Sequence, residues 1–333
     1  MTATPQTNTT LSEIADIIRN GDDFVICGHV SPDGDCLGCQ LSLAHALWQL
    51  GKKATCVLVR DEFVGTALAF MPGMDNMVAA ANYDGPCKIF IAVDVPTRER
   101  IGSAACRILD RAETSITIDH HASDTTMCDY VYVDPDYAAA SIPVWDVVKK
   151  IVDKPPLESA TCAYVGLLTD TGAFRFQNSD AVAFDTAAEL ISYGVDPSYV
   201  ASNVYQNRSI ASLKLESLII DRLQIICDGQ AALSWINNSD RERVGALKTD
   251  VEPLIDTVRS VAGVRVACML REQDGVVRGN LRARDDSDVS ALARKLGGGG
   301  HKAAAGFNLN MPIDDAVQFM SKELTDFLAE RRS

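Results

Sequence analysis

The stretch His29-Val30-Ser31-Pro32-Asp33-Gly34-Asp35 constrains this chain more than any other. It follows an apolar run, Phe24–Cys27, that reads as a buried strand, and it precedes residues 37–48, whose pattern reads as a helix. One imidazole and two carboxylates therefore sit on the turn between a strand and a helix. A single Asp at such a place is ordinarily a helix cap. Three polar groups together on one turn read as the first part of a metal site.

The 333-residue length favours two domains over one. No apolar run approaches the roughly 18–20 residues of a transmembrane helix, so no membrane partner is expected. Residues 1–10 read as a short polar tail rather than a signal peptide, having neither a basic start nor an apolar segment. Ten cysteines are scattered through apolar stretches, among them Cys27, Cys56, Cys162 and Cys268. That usage fits buried free thiols in a reduced cytoplasmic protein better than a disulfide framework. The formal net charge of −14 argues against a general groove for duplex DNA. It leaves room for an anionic substrate, because bound metal ions reverse the local charge.

Residues 11–20 carry apolar positions at helical spacing and stop before Gly21. Apolar runs follow at Phe24–Cys27, 54–59, Ile89–Val93, 116–118 and 131–133, separated by helical patterns over 37–50, 63–70 and 99–109. Strands alternating with helices predict an α/β domain with a parallel sheet. Further helices are expected over 142–150, 159–168 and 180–193. Residues 196–212, rich in Pro, Ser, Asn and Gln, read as a linker between a domain over 11–195 and a second over 213–330. In the latter a helix over 213–226 precedes strand-like segments at 231–236, 264–270, 276–282 and 304–309. Few helices separate them, which predicts a smaller mixed-sheet α+β domain.

The expected strand ends share a chemistry. The first runs into His29, Asp33 and Asp35, the run at 89–93 into Asp94, and the run at 116–118 into Asp119-His120-His121. Asp170 closes the helix expected over 159–168. In open parallel sheets ligands sit beyond the carboxyl ends of the strands. Imidazole and carboxylate together suit Mn²⁺, Fe²⁺, Co²⁺ or Zn²⁺. Four carboxylates, Asp33, Asp35, Asp94 and Asp170, balance two divalent ions, and such a pair can clamp both oxygens of a phosphoryl hydrolysis.

These motifs, His29-x-x-x-Asp33-x-Asp35, Asp94, Asp119-His120-His121 and Asp170, resemble those of the DHH phosphoesterase superfamily. Gly297-Gly298-Gly299-Gly300-His301 resembles the glycine–histidine motif of the DHH-associated C-terminal domain. The compact length is most similar to stand-alone NrnA-type members. The resemblance implies two divalent ions, most simply Mn²⁺, one held by His29, Asp33 and Asp94 and the other by Asp35, Asp94, His120 and Asp170. It implies that Asp94, His120 and His121 act at the scissile phosphate, with Asp119 orienting a histidine. It also implies a C-terminal domain that closes over the cleft and binds substrate through Arg282, Gly298, Gly299 and His301. From Arg265 to Lys302 the chain carries eight Lys/Arg against five Asp/Glu, a local basic excess that such a clamp needs.

The implied function is hydrolysis of short single-stranded RNA to 5′-nucleoside monophosphates, together with dephosphorylation of the mononucleotide bisphosphate 3′-phosphoadenosine 5′-phosphate. The alternative is a phosphodiesterase for cyclic di-AMP or its linear dinucleotide, since the same motifs serve that chemistry; a homodimer is compatible with either. Cys36-Leu37-Gly38-Cys39 departs from the resemblance, which calls for small residues and a serine there. The pair reads as packing, with a thioredoxin-like redox site as the competing reading.

Overall fold

The computed structural model describes residues 6–61, 67–122, 126–300 and 302–329. His301 lies outside the described residues, as do residues 63–66 of the helix expected over 63–70; residues 67–70 form a turn. The chain divides into two compact units, Met1–Asn207 and Arg208–Ser333.

In the first unit six strands make one parallel sheet: β1 (Phe24–Cys27), β2 (Ala54–Leu58), β3 (Val78–Ala79), β4 (Ile89–Val93), β5 (Thr114–Asp119) and β6 (Tyr130–Val133). Alternate side chains enter opposite cores. Phe24 and Ile26 join Ile91 and Val93 in one core, while Val25 and Cys27 join Phe90 and Ala92 in the other. Burial on both faces is why the strands read as continuous apolar runs. The two-residue β3 is too short to leave a pattern, and it was not expected.

Helices cover both faces. They are α1 (Leu11–Asn20), α2 (Gly34–Gln49), α3 (Arg98–Leu109), α4 (Ser141–Ile151), α5 (Leu157–Asp170), α6 (Ala181–Ser192) and α7 (Pro197–Tyr205). The last corrects the linker reading of 196–212. Asp196 accepts from the backbone N–H groups of Ser198 and Tyr199, and Pro197 fills the first turn. Residues read as helix breakers are here a helix start.

The spatial order β3-β2-β1-β4-β5-β6 reverses between β1 and β4. Their carboxyl ends flank the switch-point crevice where ligands of open sheets bind. Beside it α2 packs on α5 almost backbone to backbone. A Cβ on Gly38 would lie 2.5 Å from the Cys162 carbonyl oxygen and 3.1 Å from the Gly166 nitrogen. A Cβ on Gly166 would lie 2.5 Å from Asp35 Oδ1. Glycine at these positions lets the helix carrying Asp35 approach the helix ending in Asp170.

The second unit holds a mixed sheet in the order β11-β12-β10-β9-β8-β7, of which only β8 and β9 run parallel. Its elements are α8 (Ile210–Asp221), β7 (Gln224–Ile226), β8 (Ala231–Ile236), α9 (Asn238–Val244), α10 (Leu254–Arg259), β9 (Val266–Gln273), β10 (Val276–Ala283), α11 (Val289–Lys295), β11 (Gly299–Gly300), β12 (Ala304–Leu309) and α12 (Ile313–Ala329). The helix expected over 213–226 ends at Asp221, and its tail becomes the edge strand β7. Helices are more frequent than expected, because α9, α10 and α11 are at most two turns long and show little periodicity. One sheet face packs Cys268, Leu281 and Phe307 on Met320 and Leu324 of α12. The other packs Ala267 and Met269 on Ile219 of α8 and Leu254 of α10. Among the described residues no helix is long and apolar enough to cross a membrane.

Gly38→Ala tests the α2–α5 approach. Alanine is the better helix former by about 1 kcal/mol, yet its methyl would meet backbone atoms that cannot turn aside. The expected outcome is a net loss of about 1–3 kcal/mol in urea denaturation; unchanged or raised stability would contradict the packing described.

Candidate metal centre

The loops after β1, β4 and β5 and the end of α5 bring His29, Asp33, Asp35, Asp94, His120, His121 and Asp170 together. Asp94 is the hub. It is buried and adopts a left-handed backbone at φ 53°. Its Oδ2 lies 3.3 Å from His29 Nε2, and its Oδ1 lies 3.4 Å from both His120 Nε2 and His121 Nδ1. Each oxygen thus faces a different imidazole group.

The two inward-facing imidazoles are held alike. His29 Nδ1 lies 2.9 Å from the Val30 carbonyl oxygen and His120 Nδ1 lies 3.1 Å from that of Tyr137. With Nδ1–H donating to a carbonyl, Nε2 is the nitrogen that faces the carboxylates and the one open to a metal once its proton is displaced. His120 Nε2 is 3.4 Å from Asp170 Oδ2 and 4.0 Å from Asp35 Oδ2.

Asp33 divides its two oxygens. Oδ1 caps α2 by accepting from the backbone N–H groups of Asp35 and Cys36, both at 3.1 Å, while Oδ2 lies 3.8 Å from His29 Nε2. The cap occupies one atom and leaves the other facing the imidazole, so the cap does not exclude a ligand role. The Asp33 side chain is 56% exposed and Asp35 is fully buried, so the cluster opens on the Asp33 side. Asp35 is fixed by the start of α4, accepting from Ala140 N at 2.6 Å and Ser141 N at 3.0 Å. A helix N-terminus suits a buried carboxylate. Sequence reading missed this partner; its signal is the small, buried run Ala138-Ala139-Ala140, which lets the helix end come close.

Asp119 Oδ1 accepts from the backbone N–H groups of His120 and His121 and lies 2.7 Å from His121 Nδ1. It pins the loop and turns His121, whereas the Tyr137 carbonyl sets the His120 ring.

The clustered carboxylates call for positive charge or protons among them. Burial alone would raise Asp94, but His120 and His29 hold it well below the usual carboxylate range. Burial would lower His29, but Asp33 and Asp94 outweigh it and push the imidazole up to about 11. His120 is likewise raised by Asp94, Asp170 and Asp35 against burial. Burial and the Asp94 charge push Asp35 up to about 7, and burial with Asp35 and Asp33 pushes Asp170 well up. Protons thus occupy a pocket with too much negative charge.

Divalent ions fit the donor set. Separations of 3.3 to 3.4 Å are long for hydrogen bonds. They match donors that share an ion at about 2.1 Å, which lie roughly 3.0–3.4 Å apart. Asp94 Oδ1 is buried and accepts no hydrogen bond of normal geometry among the described residues. Two clusters, Asp94-His120-His121 and Asp35-His120-Asp170, offer one donor atom per residue, and within each these atoms lie within 4.8 Å of one another.

In the second unit, Gly299 pairs with Gly306 and Gly306 with Asn280, so the glycine run and β10 lie one strand apart. Gly298 and Gly300 are required by close backbone approach, since their Cβ atoms would meet the Gly306 and Ala304 carbonyl oxygens at 2.1 and 2.6 Å. A Cβ on Gly299 would meet nothing within 4 Å among the described residues. Arg282 shares a face of β10 with Arg278, and Arg278 is paired directly with Arg271 on β9. Among the described residues the Nε atoms of Arg271, Arg278 and Arg241 are buried and find no hydrogen-bond partner. Burial and the neighbouring Arg278, Arg241 and Arg282 outweigh Glu252 and lower Arg271. Sequence reading singled out Arg282 and missed the arginines behind it, whose one signal is the alternation Arg278-x-x-x-Arg282 on a strand.

Comparison with known proteins identifies the family. Residues 23–167 match the DHH family N-terminal domain and residues 236–330 match the DHHA1 domain. The chain is 30% identical over 294 residues to the bifunctional oligoribonuclease and PAP phosphatase NrnA of Thermus thermophilus, covering 88% of this chain and 86% of that one. It is 26% identical to the Bacillus subtilis protein of the same name, covering 90% and 93%. The crystal structure of an exopolyphosphatase-related protein from Bacteroides fragilis has the same fold, with a TM-score of 0.90 at 23% identity and 97% coverage of both chains. The chain belongs to the DHH family, with a DHH domain followed by a DHHA1 domain.

Proposed function

We propose that this chain hydrolyses short oligoribonucleotides to 5′-nucleoside monophosphates and dephosphorylates 3′-phosphoadenosine 5′-phosphate. The coarser statement, a DHH-family hydrolase of phosphoester bonds, follows from the family. The finer one is supported by two relatives that carry both activities in their names and align along most of their length. The single observation that carries the chemistry is Asp94, whose two oxygens face separate imidazole groups.

His29, Asp33 and Asp94 would hold one divalent ion, and Asp35, Asp94, His120 and Asp170 the other. Oxygen- and nitrogen-rich donors of this kind suit Mn²⁺. Two such ions supply Lewis acidity at the phosphoryl oxygens and activation of water. The chain's own part is to hold the donors ready. The carbonyls of Val30 and Tyr137 fix the imidazoles, the start of α4 fixes Asp35, and Asp119 turns His121, the residue we assign to the scissile phosphate. In the second unit we assign nucleotide-phosphate binding to Arg282, Gly298, Gly299 and His301, with Arg278 and Arg271 adding positive charge. We place the domain boundary between α7 and α8, near Asn207. The test is turnover with Mn²⁺ on two- to five-nucleotide RNA, 3′-phosphoadenosine 5′-phosphate, cyclic di-AMP and pyrophosphate; preference for either of the last two would overturn the assignment.

Three outcomes follow from the geometry. Asp94→Ala should cut turnover by more than about 100-fold, since even residues that only support a ligand cost roughly 10–100-fold. Circular dichroism should stay unchanged, and near-normal turnover would remove Asp94 from the centre.

Metal binding should release protons. His29 and His120 are raised, so without metal they are protonated at neutral pH, and an ion must displace those protons. Apparent affinity should therefore rise with pH. Calorimetry in buffers of different ionisation enthalpy measures the release, and binding heats independent of buffer would contradict it.

Arg278→Ala should raise KM for 3′-phosphoadenosine 5′-phosphate several-fold with little change in kcat, an effect that shrinks at high salt. An unchanged KM at low salt would separate this face from the substrate.

A further inference from the structure

Cys36, the third residue of α2, is left unexplained by the reading above. It is fully buried, and no disulfide involves it. A Cβ on Gly28 would lie only 2.1 Å from Cys36 Sγ, so the sulfur fills the space a side chain at 28 would take. That places it against the turn carrying His29. Sγ lies 3.9 Å from the His29 carbonyl oxygen and 3.7 Å from the side-chain amide of Gln40, both at the long limit for sulfur contacts. His29, Cys36 and Asp94 form a third buried cluster, whose donor atoms all lie within 4.8 Å of one another. Asp94 turns Oδ2 to this side, 3.3 Å from His29 Nε2. Cys39 is placed differently, with Sγ 3.6 Å from Asp35 Oδ1 on the side of α4 and α5.

Sulfur binds an ion at about 2.3 Å and nitrogen or oxygen at about 2.0–2.2 Å, so one ion can bridge these three donors after a side-chain adjustment of about 1 Å. Thiolate is a soft donor that selects thiophilic metals, whereas carboxylate and water suit Mn²⁺ and Mg²⁺. We infer that Cys36 Sγ is a conditional donor at the His29–Asp94 ion position: it coordinates a thiophilic divalent ion such as Co²⁺, Zn²⁺ or Cd²⁺ and leaves Mn²⁺ to the nitrogen and oxygen donors. As the sulfur–metal bond forms, the thiol gives its proton to solvent. The metal preference of this chain is then set partly by a residue outside the carboxylate and imidazole motifs. The inference rests on the metal-centre reading.

The test is titration of the metal-free full-length chain with Co²⁺, followed by absorption spectroscopy. The visible ligand-field bands report any bound Co²⁺, and a near-ultraviolet sulfur-to-cobalt charge-transfer band reports a Co–S bond. The expected result is a charge-transfer band saturating at one equivalent in the wild-type chain and in Cys39→Ala. Cys36→Ala and Cys36→Ser should lose that band while keeping ligand-field bands, which also shows that the variants remain folded. In competition, Cys36→Ala should weaken Cd²⁺ binding by about tenfold or more and change Mn²⁺ binding by less than about threefold. Ligand-field bands without charge transfer in the wild-type chain, or a charge-transfer band that survives in both Cys36 variants, would overturn the role of Cys36 and leave the metal centre standing. No Co²⁺ bands at all would overturn both.

Discussion

The concentration of carboxylates around Asp94 is the constraint on which the site depends. Two unit charges of like sign 4 Å apart repel by about 4 kcal/mol at an effective dielectric near 20. A domain is stable by only about 5–15 kcal/mol. Four acids of one sign are therefore tolerable only if cations or protons share the pocket. His29 and His120 are raised and Asp170 with them, which is how the chain meets that demand with protons. Each proton stands where a metal–ligand bond can replace it.

The fold delivers these acids by bringing backbones close. Parallel strands β1, β4 and β5 end at one edge, and the order reverses between the first two. That alone places His29 and Asp94 side by side. Asp35 and Asp170 come from helices, and they reach the cluster because Gly38 and Gly166 remove the side chains that would hold α2 and α5 apart. The alanines before α4 do the same for the helix end that receives Asp35. Small residues, chemically silent in themselves, set the positions of the charged ones.

Much of this was legible from periodicity. Helix α1 and strands β1 and β4 fall where apolar spacing puts them, because each spans enough residues to bury a defined face. Most of the candidate metal-site residues could be picked out because they follow strands, whose ends converge in a parallel sheet, while Asp170 stood at the end of a helix. What was not legible depends on tertiary contact. The two-residue β3 and the short α9, α10 and α11 carry too few positions to show a period. Residues 224–226 continue the apolar pattern of α8 but become a strand because β8 offers a ladder to pair with. The hydrogen bonds of Asp35 to Ala140 and Ser141 span more than 100 positions of sequence, and no local pattern signals them.

The two readings of Asp33 show why local signals alone could not decide function. A capping oxygen and a candidate ligand oxygen belong to the same carboxylate, and the cap is what fixes the candidate ligand. With Oδ1 held by two backbone N–H groups, Oδ2 loses its freedom to rotate away from His29. The same holds for Asp119, whose hydrogen bonds to two successive backbone N–H groups shape the loop that carries His120. Structural and functional roles are thus combined in single side chains. Removing Asp33 would disturb the backbone beneath the centre as well as the donor set, and removing Asp119 would release the loop that carries the histidines, so each change would cost more than its one carboxylate.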